Sequence, residues 1–372
     1  MVFSDGIEFL DVPVANQDQL TDLAVIGPLE TDIQPVRLTN GEALPVGSDV
    51  YLIGYPGEAD RFPQPAIAGG LISRLRTWTT QELTYFQSDA LIVGGQSGGL
   101  FVSAAGQAIG ISGFTFPDTF ALVASAHDLQ PRIRRLIDGE DVAGLGERAI
   151  VKALGRPRHC FTLANAWERS VYVLNASLNS NVQIRLRSDN DLFLEATNVY
   201  GDYAAYADDS ETGAETITVT VDVEAPYFVI VGTSVPSELD DEATVRLSSN
   251  HRLTPFVDPD DGGKLIPGKT LTGSLDYPGD VDYFTIPMEE GDEFGFTVDA
   301  VMIDPLLTLD YANAEAEAIL WDDDHGGGLF GTNAQLRYVA DHSGDFVVSI
   351  EDSYGYDTGG YLLTVADVSE DE

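Results

Sequence analysis

Ser97 stands in the run Gly94-Gly95-Gln96-Ser97-Gly98-Gly99-Leu100. Glycines on both sides of one hydroxyl permit a tight loop whose successive backbone N–H groups converge on one point. That arrangement stabilises an oxyanion when the serine attacks a carbonyl. A serine hydroxyl is a poor nucleophile at neutral pH and needs an adjacent base. All five histidines, His127, His159, His251, His325 and His342, follow Ser97 in the chain. His127 precedes a predicted helix and reads as a capping or surface residue in preference to a base. His159 falls in an expected linker, and the other three in later β segments. A second chemistry is offered by carboxylates. Asp280, Asp282, Asp322, Asp323 and Asp324 could supply hard oxygen ligands to calcium, which takes about six to eight. The helix-loop-helix calcium pattern is missing, and adjacent aspartates also make solvated turns. The sequence therefore requires no cofactor and leaves calcium as a candidate.

The elements that must position these groups are mostly strands. From 50 to 125, short β-type runs alternate with glycines: 50–53, 67–75, 84–86, 91–93, 100–103, 108–112 and 120–124. This pattern predicts an antiparallel half barrel. A helical period over 128–137 places Leu129, Ile133, Leu136 and Ile137 on one face. Residues 141–160 read as a linker after a first domain at 1–140. Strand patterns then return in two blocks, 161–255 and 262–367, each with the strand count of a β-sandwich. The expected fold class is all-β: a partial barrel domain followed by two β-sandwich domains.

The Ser97 run and its surroundings resemble the trypsin-like, chymotrypsin-fold serine proteases. Gly47-Ser48-Asp49-Val50-Tyr51-Leu52-Ile53-Gly54-Tyr55-Pro56-Gly57 is similar to the strand entering their second barrel. Gly69-Gly70-Leu71-Ile72-Ser73, Ser88-Asp89-Ala90 and Gly106-Gln107-Ala108-Ile109-Gly110-Ile111-Ser112 follow in the family's order. The resemblance implies Ser97 as nucleophile of a peptide-bond hydrolase working through an acyl-enzyme, with the N–H groups of Gly95 and Ser97 as oxyanion donors. Leu20-Thr21-Asp22-Leu23-Ala24-Val25-Ile26 resembles the segment holding the aspartate that orients the family's histidine. Asp22 is then catalytic, the alternative being an ordinary acid before a strand; Asp11 is a rival without the Leu-Ala-Val that follows Asp22. The family's histidine precedes this aspartate, and no histidine does so here. Only about 45 residues precede the second-barrel motif, so most of the first barrel is lacking. Either the sequence is a fragment or its protease domain is degenerate and the protein a noncatalytic binding or structural one. By resemblance Leu91 forms the base of the specificity pocket and Ser112, Gly113 and Phe114 its edge, which favours small or apolar substrate side chains. Phe114 reads equally as core packing.

Residues 268–366 resemble the bacterial pre-peptidase C-terminal domain. The likeness rests on Gly279-Asp280-Val281-Asp282-Tyr283-Phe284, Asp304-Pro305-Leu306-Leu307, Ser343-Gly344-Asp345-Phe346 and Gly359-Gly360-Tyr361-Leu362-Leu363. Residues 161–255 fit that pattern less well and read as a divergent sandwich.

Charge narrows the partners. Sixty-one acidic residues oppose 19 basic ones, a formal net charge of -42 in 372 residues. Residues 256–372 alone carry 27 acids and 3 bases, a net of -24. Such a surface repels nucleic-acid backbones and anionic membranes. The expected partner is a protein or peptide substrate, with no nucleic acid. Both adaptation to a saline medium and carboxylates gathered for calcium fit the excess. No run of about 18 apolar residues predicts a membrane span. A signal peptide is not visible in the first residues, so an extracellular or cell-surface location depends on a leader at the true N-terminus. The single cysteine, Cys160, excludes an internal disulfide.

Overall fold

The structure is a computed structural model describing residues 7–39, 44–57, 64–116, 120–143, 155–208, 213–233, 242–312 and 318–368, without the side chains of 115 and 116. The chain divides into two units, residues 1–144 with 328–330, and residues 145–327 with 331–372.

In the first unit, β1 (Val14–Asp18) and β2 (Leu23–Ile26) form a two-stranded antiparallel hairpin. Six strands then close into a barrel: β3 (Asp49–Gly54), β4 (Ala66–Trp78), β5 (Leu83–Ser88), β6 (Leu100–Ser103), β7 (Ala108–Phe116) and β8 (Phe120–Ser125), paired in the order β3-β4-β5-β8-β7-β6. Period-two alternation fills it. Val50 and Leu52 of β3 point inward to meet Ile72, Phe86, Phe101, Ile109 and Val123. The expected strand at 91–93 is instead open loop. Its apolar side chains face solvent, Leu91 at 67% exposure and Val93 at 41%, because the barrel closes through β6 and leaves that segment no ladder partner. The helix α1 (Ala126–Ile137) begins two residues before the expected 128.

This helix fastens the hairpin. Asp18 is fully buried, and its carboxylate accepts from Arg132 Nη1 at 2.6 Å, Thr21 Oγ1 at 2.6 Å and the Leu20 N–H at 3.2 Å. Asn16 Nδ2 donates to the carbonyls of Leu136 and Glu140 at 3.1 and 2.9 Å, tying β1 to the C-terminal end of the helix.

The second unit contains both later β domains. β9 (Arg156–Leu163), β10 (Ser170–Leu174), β11 (Asn181–Arg187), β12 (Leu192–Asn198), β13 (Tyr203–Ala207), β14 (Thr216–Thr220), β15 (Tyr227–Thr233) and β16 (Ala243–Phe256) make one eight-stranded sheet. β16 is long enough to serve both layers: Ala243–Ser248 pairs with β9, Arg246–Ser249 with β11 and Leu253–Phe256 with β10. The sheet thereby folds over a core that includes Leu174, Ile184, Leu194, Val219, Val229 and Val245. Residues 156–160 of the expected linker belong to β9, while 144–154 lie outside the described residues.

The last domain is a two-sheet sandwich. β17 (Gly263–Lys264), β18 (Lys269–Leu275), β19 (Val281–Met288), β20 (Glu293–Ala300), β21 (Pro305–Tyr311), β22 (Leu320–Asp322), β23 (Ala334–Val339), β24 (Gly344–Asp352) and β25 (Gly359–Asp367) form it. The sheet β17-β19-β24-β21-β22 packs against β18-β25-β20-β23, burying Phe284, Phe296, Phe346 and Tyr361 between them. Among the described residues no helix is long and apolar enough to cross a membrane.

Removing one partner of a buried ion pair strands the other, at about 3–5 kcal/mol. Asp18→Ala is therefore expected to lower the stability of the first unit by about 3 kcal/mol, read as a shift in its urea midpoint. A loss below about 1 kcal/mol, the size of an exposed pair, would show that the hairpin is held by other contacts.

Candidate active site and aspartate cluster

The loop between β5 and β6 carries Ser97 at its exposed crest. Its shape depends on glycine. Gly95 has φ +89°, and a Cβ there would lie 2.4 Å from the Gly57 nitrogen, which donates to the Gly94 carbonyl at 2.8 Å. At Gly99 a Cβ would lie 2.7 Å from the Gln96 carbonyl oxygen. Gln96 is buried at 3% exposure and ties the loop from within: its Oε1 accepts the Val93 N–H at 2.9 Å and its carbonyl accepts Ser112 Oγ at 2.7 Å. The Gly98 N–H donates to Ser112 O at 2.7 Å, and the Ser112 N–H to Gly99 O at 2.9 Å. These bonds hold the loop against β7 and use the amides of Gln96, Gly98 and Gly99. Among the described residues no backbone acceptor takes the Gly95 or Ser97 N–H. The two amides expected to bind an oxyanion are among those the loop leaves without a backbone acceptor.

Ser97 Oγ donates to the Gly113 carbonyl at 3.3 Å. Beside it runs a cleft of about 320 Å³ lined by Asp22, Tyr85, Gly98, Ser112, Gly113 and Phe114, among others. The structure thus brings Asp22 and the expected pocket edge to one depression next to the serine. Leu91 is not among the lining residues. Ser112 is 1% exposed with its hydroxyl committed to Gln96, and Phe114 packs on the Tyr85 ring at 6.2 Å. Asp22 takes the left-handed conformation, φ 52°, and desolvation of its carboxyl raises its pKa. Tyr85, which the sequence did not single out, is 1% exposed with a buried hydroxyl lacking a partner. No histidine lines the cleft. His127 stands on the exposed side of α1. The other four lie in the second unit, where His159 Nε2 is 3.0 Å from the Arg156 and Leu253 carbonyls and His342 pairs with Asp341 at 2.7 Å.

The acidic candidates separate into two groups. Asp322 is a turn organiser: it accepts the Gln335 N–H at 2.6 Å, the His325 N–H at 3.1 Å and His325 Nδ1. Neither it nor Asp323 or Asp324 joins a cluster of ligating geometry among the described residues. Asp280 and Asp282 do, together with Asp258; a second triad, Asp258, Asp260 and Asp276, shares that residue. Asp258, Asp260 and Asp276 were not apparent from sequence. Asp280 is 2% and Asp282 0% exposed. Asp280 Oδ2 accepts the Asp276 N–H at 2.6 Å and Asp282 Oδ2 accepts the Tyr361 hydroxyl. Asp258 Oδ2, Asp280 Oδ1 and Asp282 Oδ1 are buried with no partner. Burial, followed by repulsion from neighbouring aspartates, pushes the pKa values of Asp258 and Asp282 far up, and burial raises that of Asp280 to about 7.

Residues 2–111 match the sequence model of the trypsin-like peptidase domain. No curated protein matches the chain. Among solved structures, an HtrA-type protease, AlgW, with a tripeptide is 24% identical over 37% of this chain and 48% of that one, with a TM-score of 0.33. A serine endoprotease from Yersinia pestis is 26% identical over 35% and 45%, with a TM-score of 0.30. An inactive mutant from M. tuberculosis is 17% identical over 34% and 65%, with a TM-score of 0.29. The chain spans about half the length of the first of these structures.

The raised Asp280 pKa has a defined sign. The folded carboxyl keeps its proton up to about pH 7, whereas the unfolded one releases it near 3.9, so the folded state binds more protons between those limits. In a chelator, stability of the second unit is expected to fall as pH rises from about 4 through about 7, and to go on falling above it because Asp258 and Asp282 hold their protons higher still. Urea midpoints at pH 5 and pH 8 measure this. A midpoint at pH 8 equal to or above that at pH 5 would show that the cluster is not desolvated.

Proposed function

We propose that Ser97 is the nucleophile of a serine endopeptidase site, on the premise that the N-terminal domain is a trypsin-like serine-protease domain with a partial chymotrypsin fold, followed by β-sandwich domains. Ser97 Oγ would add to the peptide carbonyl, the amine would leave, and water would release the acyl group. The Gly95 and Ser97 N–H groups would hold the oxyanion. The observation that carries this reading is the pair of amides left unspent beside an exposed serine, in a loop whose neighbouring Gln96, Gly98 and Gly99 amides are bonded. Asp22 would orient an imidazole at the cleft and stabilise its charge. No imidazole of this chain lines that cleft, so the base is a group that residues 1–372 do not place there. The chain by itself therefore holds the nucleophile unactivated. The substrate is a protein or peptide, seated along Ser112–Phe114 by backbone hydrogen bonds. A location outside the cell suits the acidic surface, which salt would screen.

One observation favours a second reading, a noncatalytic peptide-binding domain: the Ser97 hydroxyl is turned to the Gly113 carbonyl rather than to a base. The two are separated by covalent labelling. Slow fluorophosphonate labelling at Ser97, accelerated by added imidazole and abolished in Ser97→Ala, is the expected result. No labelling at any imidazole concentration would sink the enzymatic reading.

The Asp258, Asp280 and Asp282 cluster reads as a calcium site. Three buried, unpartnered carboxylate oxygens whose ligand atoms lie within 4.8 Å of one another fit a hard divalent cation. The cation would supply positive charge beyond that of Arg169, whose guanidinium acts on Asp280.

A further inference from the structure

The turn that offers Asp276 and Asp280 to the cluster also forms the seam between the two later β domains. Tyr277 projects out of the last domain and is 1% exposed. Its ring stacks on Phe228 of β15 at 5.4 Å and meets Phe256, the last residue of β16, edge-on at 5.7 Å. Val171, Phe193 and Ile230 complete this apolar patch. Two residues along, the Gly279 carbonyl accepts from Arg169 Nη1 of the preceding domain at 2.7 Å. The Asp280 N–H closes the turn onto Tyr277 O at 3.0 Å. Asp258 and Asp260 come from the other side: they lie in the segment that leaves β16 and enters the last domain. Ser274 N–H donates to Asp260 Oδ2 at 2.6 Å.

Carboxylates from the connector and from the seam turn therefore converge on one point. Without a cation, their ionised forms repel, and the repulsion acts between the two pieces of backbone that set the joint. With a cation the same oxygens are drawn together. We propose that a divalent cation at Asp258, Asp280 and Asp282 locks the joint between the two β domains, holding Tyr277 in its aromatic seat and Gly279 on Arg169. This rests on the reading of the cluster as a calcium site and adds its mechanical consequence. Each domain keeps its own core, so cation loss loosens the seam and leaves both folded. Because the coupling is an equilibrium one, it is reciprocal: whatever calcium contributes to the seam, an intact seam returns to calcium affinity.

The experiment is hydrogen exchange and calorimetric calcium titration on the full chain at pH 8, with three proteins: wild type, Asp258→Asn and Phe228→Ala. In wild type, calcium is expected to slow exchange of amides 228–231 and 277–280 by at least about tenfold, with the sandwich cores unchanged. Asp258→Asn should weaken calcium binding by about tenfold or more and lose the added protection at matched calcium. Phe228→Ala, which removes the ring stacked on Tyr277 and leaves the Tyr277 side-chain bond to Asp280 in place, should weaken calcium by a factor similar to the wild-type gain in protection. Calcium binding without any change at 228–231, and with unaltered affinity in Phe228→Ala, would overturn the lock while leaving the calcium site standing. No heat and no protection change in wild type at millimolar calcium would overturn both.

Discussion

The scarcity of cations governs this structure. Nineteen basic side chains serve 61 acids, so a carboxylate that folding removes from water must find its compensation without assuming a nearby lysine or arginine. Asp18 is the case in which one is supplied: Arg132, Thr21 and a backbone amide surround it, and the N-terminal hairpin is thereby fixed to α1. Asp322 is compensated by backbone amides and a histidine. Asp280 and Asp282 receive donors and each keep one oxygen unanswered in the interior. These three solutions divide the acids into a fastener, a turn organiser and a buried carboxylate cluster with the geometry to hold a cation.

At the serine the same economy takes another form. The loop is built almost wholly from backbone bonds and two buried side chains, Gln96 and Ser112. Its crest is therefore held in shape by neutral groups, with Asp89 at the start of the loop accepting the Leu71 N–H, and the Gly95 and Ser97 amides keep no backbone acceptor whether or not a base stands beside Ser97. Geometry for binding a developing negative charge and chemistry for generating the nucleophile are separate assets, and the proposed reading of Ser97 draws only the first from this chain. The Asp22 carboxyl has its pKa raised by desolvation alone.

Legibility from sequence followed the range of the contacts. The barrel and the Ser97 loop were readable because the glycine-flanked serine and the alternation of strand residues are short-range patterns, even where, as at Gly95 against Gly57, the contact that requires the glycine is distant in sequence. Asp280 and Asp282 were likewise visible within one short motif. Asp258 and Asp260 were not, since only the path of the chain out of β16 brings them to that motif. β9 was missed because Arg156-Pro157-Arg158-His159 has little strand character; its pairing along β16 overrides local preference. Leu91 was assigned to a pocket by its spacing from Ser97, yet the open loop turns it to solvent. Tyr85 carried no sequence signal beyond its place in a strand; its orphaned hydroxyl is a property of the packed cleft alone.

The most direct test of the serine site is a structure of the chain with a peptide boronic acid, which forms a tetrahedral adduct with a nucleophilic hydroxyl without requiring turnover. The expected result is boron bonded to Ser97 Oγ, one boronate oxygen within hydrogen-bonding distance, about 2.7–3.1 Å, of both the Gly95 and Ser97 nitrogens, and the peptide along Ser112–Phe114. Boronate bound elsewhere, or joined to Ser97 with its oxygens turned away from both amides, would contradict the oxyanion geometry and with it the assignment of Ser97 as a catalytic nucleophile.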